Sequence, residues 1–164
     1  MLYVILSALL VIADQIIKFF TVKYLAPIGD LDVIKNILSF TYVENRGAAF
    51  GILQDGRWFF VALTLVILTA LSVYIGKNPK KGMLFNISAT MIYAGAIGNF
   101  IDRLFKGYVV DMIRVTFIDF PVFNFADCLI VVGVILLYVY ILFFDKSKTL
   151  EDDSLGTDEV KTDE

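Results

Sequence analysis

Six polar residues that could do chemistry interrupt one apolar stretch of the chain, residues 95–127. They are Asn99, Asp102, Arg103, Asp111, Asn124 and Asp127. An ionised acid at a bilayer centre costs at least roughly 2.5 kcal/mol on insertion scales, so acids in apolar surroundings need a function or a partner. Two carboxylates that lie together can form a dyad, in which one takes a proton from water and the other, protonated, polarises a carbonyl. The sequence therefore predicts an aspartyl hydrolase site.

The surroundings of these acids suggest different roles. Branched apolar residues flank Asp111, which should raise its pKa by desolvation, so it is the candidate acid; a hydrogen bond that orders a loop is the alternative. Asn124 can cap a helix whose first turn holds Asp127, and the helix N-terminus favours a carboxylate there, so Asp127 is the candidate base, although capping alone also explains it. Asp102 precedes Arg103, and a structural ion pair accounts for it.

The composition excludes several other chemistries. The chain has no histidine and a single cysteine, Cys128, which is most simply a small core residue. One chain therefore cannot form a Ser-His-Asp triad, a Cys-His pair, a histidine zinc site or a disulfide. We expect neither a metal nor a cofactor.

The chain has the composition of a membrane protein. Hydrophobic residues make up 59% of it, with a mean hydropathy of +0.78. Residues 150–164 hold seven acids and one lysine, so residues 1–149 carry a net charge of +3 although the whole chain carries −3. We predict one membrane domain over residues 1–149 and a disordered acidic cytoplasmic tail over 150–164.

The predicted fold class is an all-α membrane protein with four transmembrane helices and a small β-sheet-containing extracytoplasmic region. The expected helices cover about residues 2–22, 58–76, 83–103 and 124–144. The external loops are then 23–57 and 104–123, with strand-like segments at 37–45, 48–53 and 108–118.

Basic residues orient these spans. Lysines cluster after the second span and after the fourth, at Lys77, Lys80, Lys81, Lys146 and Lys148. Cytoplasmic loops carry an excess of basic residues, so both termini are expected in the cytoplasm. The acids of the site then gather at the outer face.

Three further segments could serve the site. Asp14 and Lys18 share one helix face near the outer end of the first span, either as a buried pair or as part of the pocket. The run 44–50 is either a turn or a segment that presents Asn45 and backbone groups to a peptide. Gly95 belongs to a face of small residues that lets another helix or a substrate come close.

Five blocks of sequence together resemble the lipoprotein signal peptidases, also called signal peptidase II. The blocks are D-Q-x-x-K at 14–18, E-N-R-G-A-A-F at 44–50, G-A-I-G-N-F-I-D-R at 95–103, V-V-D at 109–111 and F-N-F-A-D at 123–127. The resemblance covers roughly residues 1–145. Ala94 stands where the family often has glycine and Met112 where it often has phenylalanine, and neither departure removes a polar group.

The resemblance implies a bacterial membrane aspartyl endopeptidase that cuts prolipoproteins just before a diacylglyceryl-modified cysteine, at the outer face of the inner cell membrane. It implies Asp111 and Asp127 as the catalytic pair, and this choice over Asp102 depends more on the family than on the apolar setting. The residues expected to support the site or bind substrate are Asp14, Lys18, Asn45, Gly47, Gly95, Asn99, Asp102, Arg103 and Asn124.

The expected partners are prolipoprotein substrates, membrane lipids and globomycin-type inhibitors, with no nucleic acid and a monomeric enzyme. Two other functions compete with this one. A proton-coupled transporter or channel subunit would use the acids as a relay, which should spread them along the membrane depth. A non-catalytic assembly factor would retain function without the acids.

Overall fold

The computed structural model describes residues 1–47, 53–77 and 81–144. Four long helices dominate this part of the chain: α1 (Leu2–Phe20), α2 (Arg57–Lys77), α3 (Met83–Phe105) and α4 (Phe125–Phe143). Three strands complete it: β1 (Leu31–Ile34), β2 (Leu38–Asn45) and β3 (Val109–Val115). All four helices are long and apolar enough to cross a membrane, so the predicted fold class is confirmed.

Helix α3 is the central element of the bundle and packs against α1, α2 and α4. It contributes most of the buried helical residues, whereas the other helices expose apolar side chains such as Ile5, Val66 and Val134 outward. Exposed apolar side chains on spanning helices face lipid rather than water. The residues of α3 that approach its neighbours are small, which lets the helix backbones come close together.

Two glycines of α3 mark these close approaches. A Cβ atom on Gly95 would overlap the carbonyl oxygen of Ala126 and the side chain of Ile130, both on α4. A Cβ atom on Gly98 would lie 2.5 Å from Oδ2 of Asp14 on α1. The small face that the sequence predicted is therefore occupied by two helices.

The C-terminal end of α1 differs from the predicted helix over residues 2–22. The α-helix ends at Phe20 and continues as a π-helical segment, Thr21–Leu25. The hydroxyl of Thr21, the first residue of this segment, donates to the carbonyl of Ile17 at 3.0 Å. Leu25, at the end of this segment, packs into the base of the sheet with Val110 and Met112.

The three strands form one antiparallel sheet in the order β1-β2-β3. The predicted strands at 37–45 and 108–118 correspond to β2 and β3, and β1 is an additional strand. Of the third predicted strand, 48–53, residues 48–52 lie outside the described residues, and Leu53 lies in a turn. The sheet is fixed to α1 through Leu25 and leads directly into α4, because Ile113 of β3 bridges to Phe123.

Candidate active site

Asp111 is buried at the start of β3, with an exposed fraction of 1%. Its Oδ1 accepts a hydrogen bond from Nδ2 of Asn124 at 2.6 Å, and its Oδ2 accepts one from Nδ2 of Asn45 at 2.9 Å. Burial raises the pKa of Asp111 to about 6; the two amide donors oppose this shift and the negative charge of Asp127 adds to it. This carboxyl therefore retains its proton to higher pH than an ordinary aspartate.

Asp127 lies in the first turn of α4 and is only half-buried. Asn124 and Asp127 form a reciprocal cap: the Asp127 N–H donates to Oδ1 of Asn124 at 3.0 Å, and the Asn124 N–H donates to Oδ2 of Asp127 at 3.1 Å. The remaining oxygen, Oδ1, accepts from Nδ2 of Asn99 at 2.7 Å. Capping thus engages one carboxylate oxygen of Asp127, while the other faces α3.

Asn124 links the two carboxyl groups. Its side-chain NH₂ donates to Asp111, its side-chain oxygen accepts from the backbone of Asp127, and its own N–H returns to the Asp127 carboxylate. A third contact, from Nδ2 to Oδ1 of Asn99 at 3.2 Å, ties this link to α3. One fully buried asparagine therefore sets how the start of β3 faces the beginning of α4.

A buried ion cluster lies beneath these residues. The ammonium of Lys18 lies 2.9 Å from Oδ2 of Asp14 and 3.1 Å from Oδ2 of Asp102, and all three side chains are fully buried. Oδ1 of Asp14 also accepts from the backbone N–H of Ala126 at 3.1 Å, which ties α1 to α4.

The partner expected for Asp102 was wrong. Asp102 pairs with Lys18 and with Lys106, at 3.1 and 2.8 Å, rather than with its neighbour Arg103. Consecutive side chains on a helix point about 100° apart, so neighbours in sequence face different surroundings. Asp102 also accepts from the N–H of Val110 at 3.2 Å, which positions the strand that carries Asp111.

Arg103 reaches the loop between β2 and α2. Its guanidinium donates to the carbonyl of Gly47 at 3.3 Å and lies 4.8 Å from the ring centroid of Phe60. It also interacts electrostatically with Asp127 and Asp111. Arg103 thus supplies positive charge beside the two carboxyl groups.

Asn45, the last residue of β2, and Gly47 in the loop that follows belong to the same site. The Gly47 N–H donates to Oδ1 of Asn45 at 3.0 Å, which leaves the Asn45 amide nitrogen free to bind Asp111. In the structure, the Asn45 side chain therefore binds the carboxyl group of Asp111.

Sequence reasoning missed two supporting residues. Gln15 donates to Oδ2 of Asp14 and to the carbonyl of Gly98, both at 3.1 Å. Lys106 pairs with Asp102 four residues earlier, and that helical i,i+4 spacing was a signal available from the sequence. For Gln15, the only signal in the sequence was its position within the D-Q-x-x-K block.

This arrangement is suited to hydrolysis by paired carboxyl groups. One carboxyl group is buried and inclined to keep its proton, and the other is half-buried at a helix N-terminus. Within the described ranges, no group of three or more His, Cys, Asp or Glu side chains has the placement of a metal site.

Comparisons with known proteins agree with the resemblance. The family model described as signal peptidase (SPase) II matches residues 6–143. Lipoprotein signal peptidases from Streptococcus pyogenes serotypes M6 and M5 are each 44% identical over 139 residues, which cover 84% of this chain and 91% of theirs.

Solved structures agree as well. A bacterial membrane enzyme determined by the in meso method at 2.3 Å resolution superposes with a TM-score of 0.80 at 35% identity, over 89% of this chain and 90% of that one. A second, at 1.9 Å resolution, gives a TM-score of 0.78 at 35% identity, over 87% and 93%. The chain therefore belongs to the signal peptidase II family, the membrane-embedded lipoprotein signal peptidases.

Proposed function

We propose that this peptidase is an aspartyl endopeptidase whose catalytic pair is Asp111 and Asp127. Family membership implies cleavage of prolipoprotein signal peptides. The observation that carries the proposal is the link through Asn124, which joins a buried carboxyl group with a raised pKa to a half-buried one at a helix N-terminus. Two acids in such different surroundings can hold one proton between them.

The proposed reaction is direct attack by water on the scissile carbonyl. Ionised Asp127 accepts a proton from the water, whose oxygen bonds to the carbonyl carbon, while protonated Asp111 donates a hydrogen bond to the carbonyl oxygen. Collapse of the tetrahedral intermediate breaks the C–N bond, and the leaving amine takes up a proton from the pair. The two carboxyl groups titrate as one coupled unit.

The substrate we propose is a prolipoprotein with a diacylglyceryl-modified cysteine, cut just before that cysteine. The supporting feature is the position of the site at one end of the bundle, where α3 ends, α4 begins and the sheet is attached. A lipid-modified cysteine could keep its acyl chains in the bilayer beside the helices while the peptide reaches the carboxyl groups. Membrane lipids and globomycin-type inhibitors are the other expected ligands, and a monomer would suffice.

The proposed orientation places the site at the outer face of the bacterial inner membrane. Lys77 and Lys81 lie at the end of the bundle opposite the carboxyl groups, because α2 ends and α3 begins there. Basic residues favour the cytoplasmic side, so both termini would lie in the cytoplasm.

The direct test is cleavage of a lipidated prolipoprotein by the purified protein in detergent. Asp111→Asn and Asp127→Asn should each reduce kcat/KM by about a hundredfold or more, because each removes an acid or base. Asp119→Asn is the matched control, since Asp119 is exposed in the loop between the two, and it should cleave at the normal rate. Undiminished cleavage by either site variant would overturn the dyad.

A further inference from the structure

The ammonium group of Lys18 has no hydrogen-bond donor left for a substrate. An ammonium carries three N–H donors, and three acceptors surround this one. They are Oδ2 of Asp14 at 2.9 Å, Oδ1 of Asn99 at 3.0 Å and Oδ2 of Asp102 at 3.1 Å. Because the side chain is also fully buried, Lys18 must act through these neighbours.

One of these neighbours, Asn99, reaches Asp127. The Asn99 side-chain oxygen accepts from Lys18 at 3.0 Å and from Nδ2 of Asn124 at 3.2 Å, and its NH₂ donates to Oδ1 of Asp127 at 2.7 Å. A flipped amide would place its NH₂ against the ammonium and its oxygen against the carboxylate. The two donors on one side therefore determine which way the amide points.

We infer that Lys18 is a positioning residue of the peptidase reaction, because it holds the Asn99 amide in the orientation that donates to Asp127. This inference rests on the proposed function. A carboxylate that receives an N–H donor is stabilised in its charged form, which is the form that accepts a proton from water. Lys18 on α1 thus supports a base on α4 that it does not touch.

Other groups around Asp127 also affect its charge. The groups that face it are Asn99 and Arg103 of α3, Asp111 of β3, and Asn124 and Cys128 of α4. Lys18 also acts on Asp111 directly through its charge. A test must therefore separate the contact through Asn99 from the loss of a positive charge.

A structural role must be separated as well, because Lys18 neutralises two buried acids. Lys18→Met alone would leave the buried carboxylate of Asp14 without a cation and would leave Asp102 with Lys106 as its only ion-pair partner among the described residues, which is strongly destabilising. The combination Lys18→Met with Asp14→Asn removes one charge of each sign. An asparagine at position 14 keeps an oxygen for the Ala126 N–H that Asp14 now binds. This pair preserves the charge balance but releases the Asn99 amide.

The experiment measures kcat and KM against pH for cleavage of a synthetic lipidated prolipoprotein in detergent. The charge-balanced pair should lower kcat roughly tenfold or more, the value of a hydrogen bond to a charged group, with KM nearly unchanged. The acidic limb of its pH profile should move to higher pH. Lys23→Met is the control, since Lys23 is exposed one turn beyond α1, and it should match the unmodified protein.

A double-mutant cycle with Asn99→Ala decides whether Lys18 acts through Asn99. If it does, adding the charge-balanced pair to Asn99→Ala should cause no further loss of kcat. If the losses of kcat caused by Asn99→Ala and by the charge-balanced pair instead multiplied in the combined variant, the inference would be overturned. It would also be overturned if the charge-balanced pair had a normal kcat and a normal pH profile.

Thermal melting shows whether each variant folds, and Lys18→Met with Asp102→Asn is the second charge-balanced pair. Failure of both pairs to fold would assign Lys18 a structural role and likewise overturn the inference. If the unmodified protein does not cleave the substrate, it is the proposed function that fails instead.

Discussion

The two proposed catalytic residues differ most in their exposure to solvent. Asp111 is almost completely enclosed, which raises its pKa to about 6, whereas Asp127 is half-buried and held at a helix N-terminus. A water molecule can approach Asp127 from outside, and the enclosed carboxyl group can donate to a carbonyl. In the proposed mechanism, this difference in burial is the reason that Asp111 is the acid and Asp127 the base.

Removal of the Asn45 amide should extend activity to higher pH. Asn45 donates to the charged form of Asp111 and so lowers its pKa, against the larger effect of burial. In Asn45→Ala the pKa of Asp111 should rise above about 6, so the acid keeps its proton longer and the alkaline limb of kcat/KM moves to higher pH. The measurement is the pH profile of prolipoprotein cleavage.

Asn86→Ala is the matched control for that shift. Asn86 lies near the opposite end of α3 and donates to the carbonyl of Lys81, far along the helix from the carboxyl groups. The alkaline limb of the pH profile of Asn86→Ala should coincide with that of the unmodified protein. A limb that stays in place, or moves to lower pH, in Asn45→Ala would contradict the assignment of Asp111 as the acid.

Residue types were easier to predict from the sequence than residue partners. The apolar neighbours of Asp111 predicted its raised pKa, and the N-F-A-D spacing predicted that Asn124 caps α4. The pairing of Asp102 with Lys18 was not foreseeable without the fold, because it joins positions 84 residues apart on two helices. Most asparagine contacts are equally non-local, since Asn45 joins β2 to β3, Asn124 joins α4 to β3, and Asn99 joins α3 to α1 and α4.

At the scale of elements, α3 holds the site together because its neighbours come so close. Gly95 contacts α4 next to the turn that carries Asp127, and Gly98 contacts Asp14 of the buried ion cluster. Larger side chains at either position would separate the helices on which the carboxyl groups and their supports lie.

Gly95→Ala should therefore destabilise the bundle. The added Cβ atom meets the carbonyl of Ala126, which cannot move without shifting α4, and overpacking of this kind costs about 1–3 kcal/mol. Gly76→Ala is the matched control, because nothing lies within 4 Å of its Cβ position. Thermal unfolding in detergent should show a lower Tm only for Gly95→Ala, and equal Tm values for both variants would contradict the close approach.

One side chain from the end of the first span packs against the sheet. Leu25 is 9% exposed and packs with Val110 and Met112 beneath the strand that carries Asp111. Leu25→Ala should cost about 2–5 kcal/mol locally and loosen the sheet from the helices. Limited proteolysis should then cut the segment 26–46 faster, with slower cleavage of substrate.

Leu31→Ala provides the comparison, because Leu31 lies on the edge strand and is half-exposed. Its proteolysis pattern should match that of the unmodified protein. If Leu25→Ala resisted protease equally well, the sheet would have to be held by its other contacts, chiefly those to Asp102 and Phe123.

For the whole molecule, the ionisable groups of the site are concentrated at one end of the bundle. The two carboxyl groups and Arg103 lie where α3 ends and α4 begins, and the buried ion cluster extends from there to Asp14, near the middle of the first span Leu2–Leu25. A proton relay would be expected to distribute such groups along the membrane depth. Their concentration favours chemistry at one membrane face.

Labelling of single cysteines would test which face this is. In a Cys128→Ala background that is first checked for cleavage, Lys35→Cys should react with an impermeant maleimide in intact cells stripped of their outer layers. Lys77→Cys should react only after the membrane is permeabilised, since the two positions are exposed at opposite ends of the bundle. The reverse pattern would place the site on the cytoplasmic side.

The four helices were predictable because long apolar runs determine them almost alone. Strand β1 was not, because Leu31–Ile34 includes an acid and is only four residues long. The π-helical end of α1 was also unforeseen, since the apolar pattern continues through it and only its attachment to the sheet distinguishes it.

The bridge between Ile113 and Phe123 closes a short loop, residues 114–122. The chain on one side of this loop leads to Asp111, and the chain on the other side leads to Asp127; these two segments are the arms of the loop. The backbone hydrogen bonds across this bridge, 2.8 and 3.1 Å, fix the spacing of the arms independently of the residues at the loop tip. Residues 116–120 at that tip are exposed. The loop tip should therefore tolerate an inserted epitope or fluorophore between Ile118 and Asp119, giving a reporter close to the site in an enzyme that still cleaves.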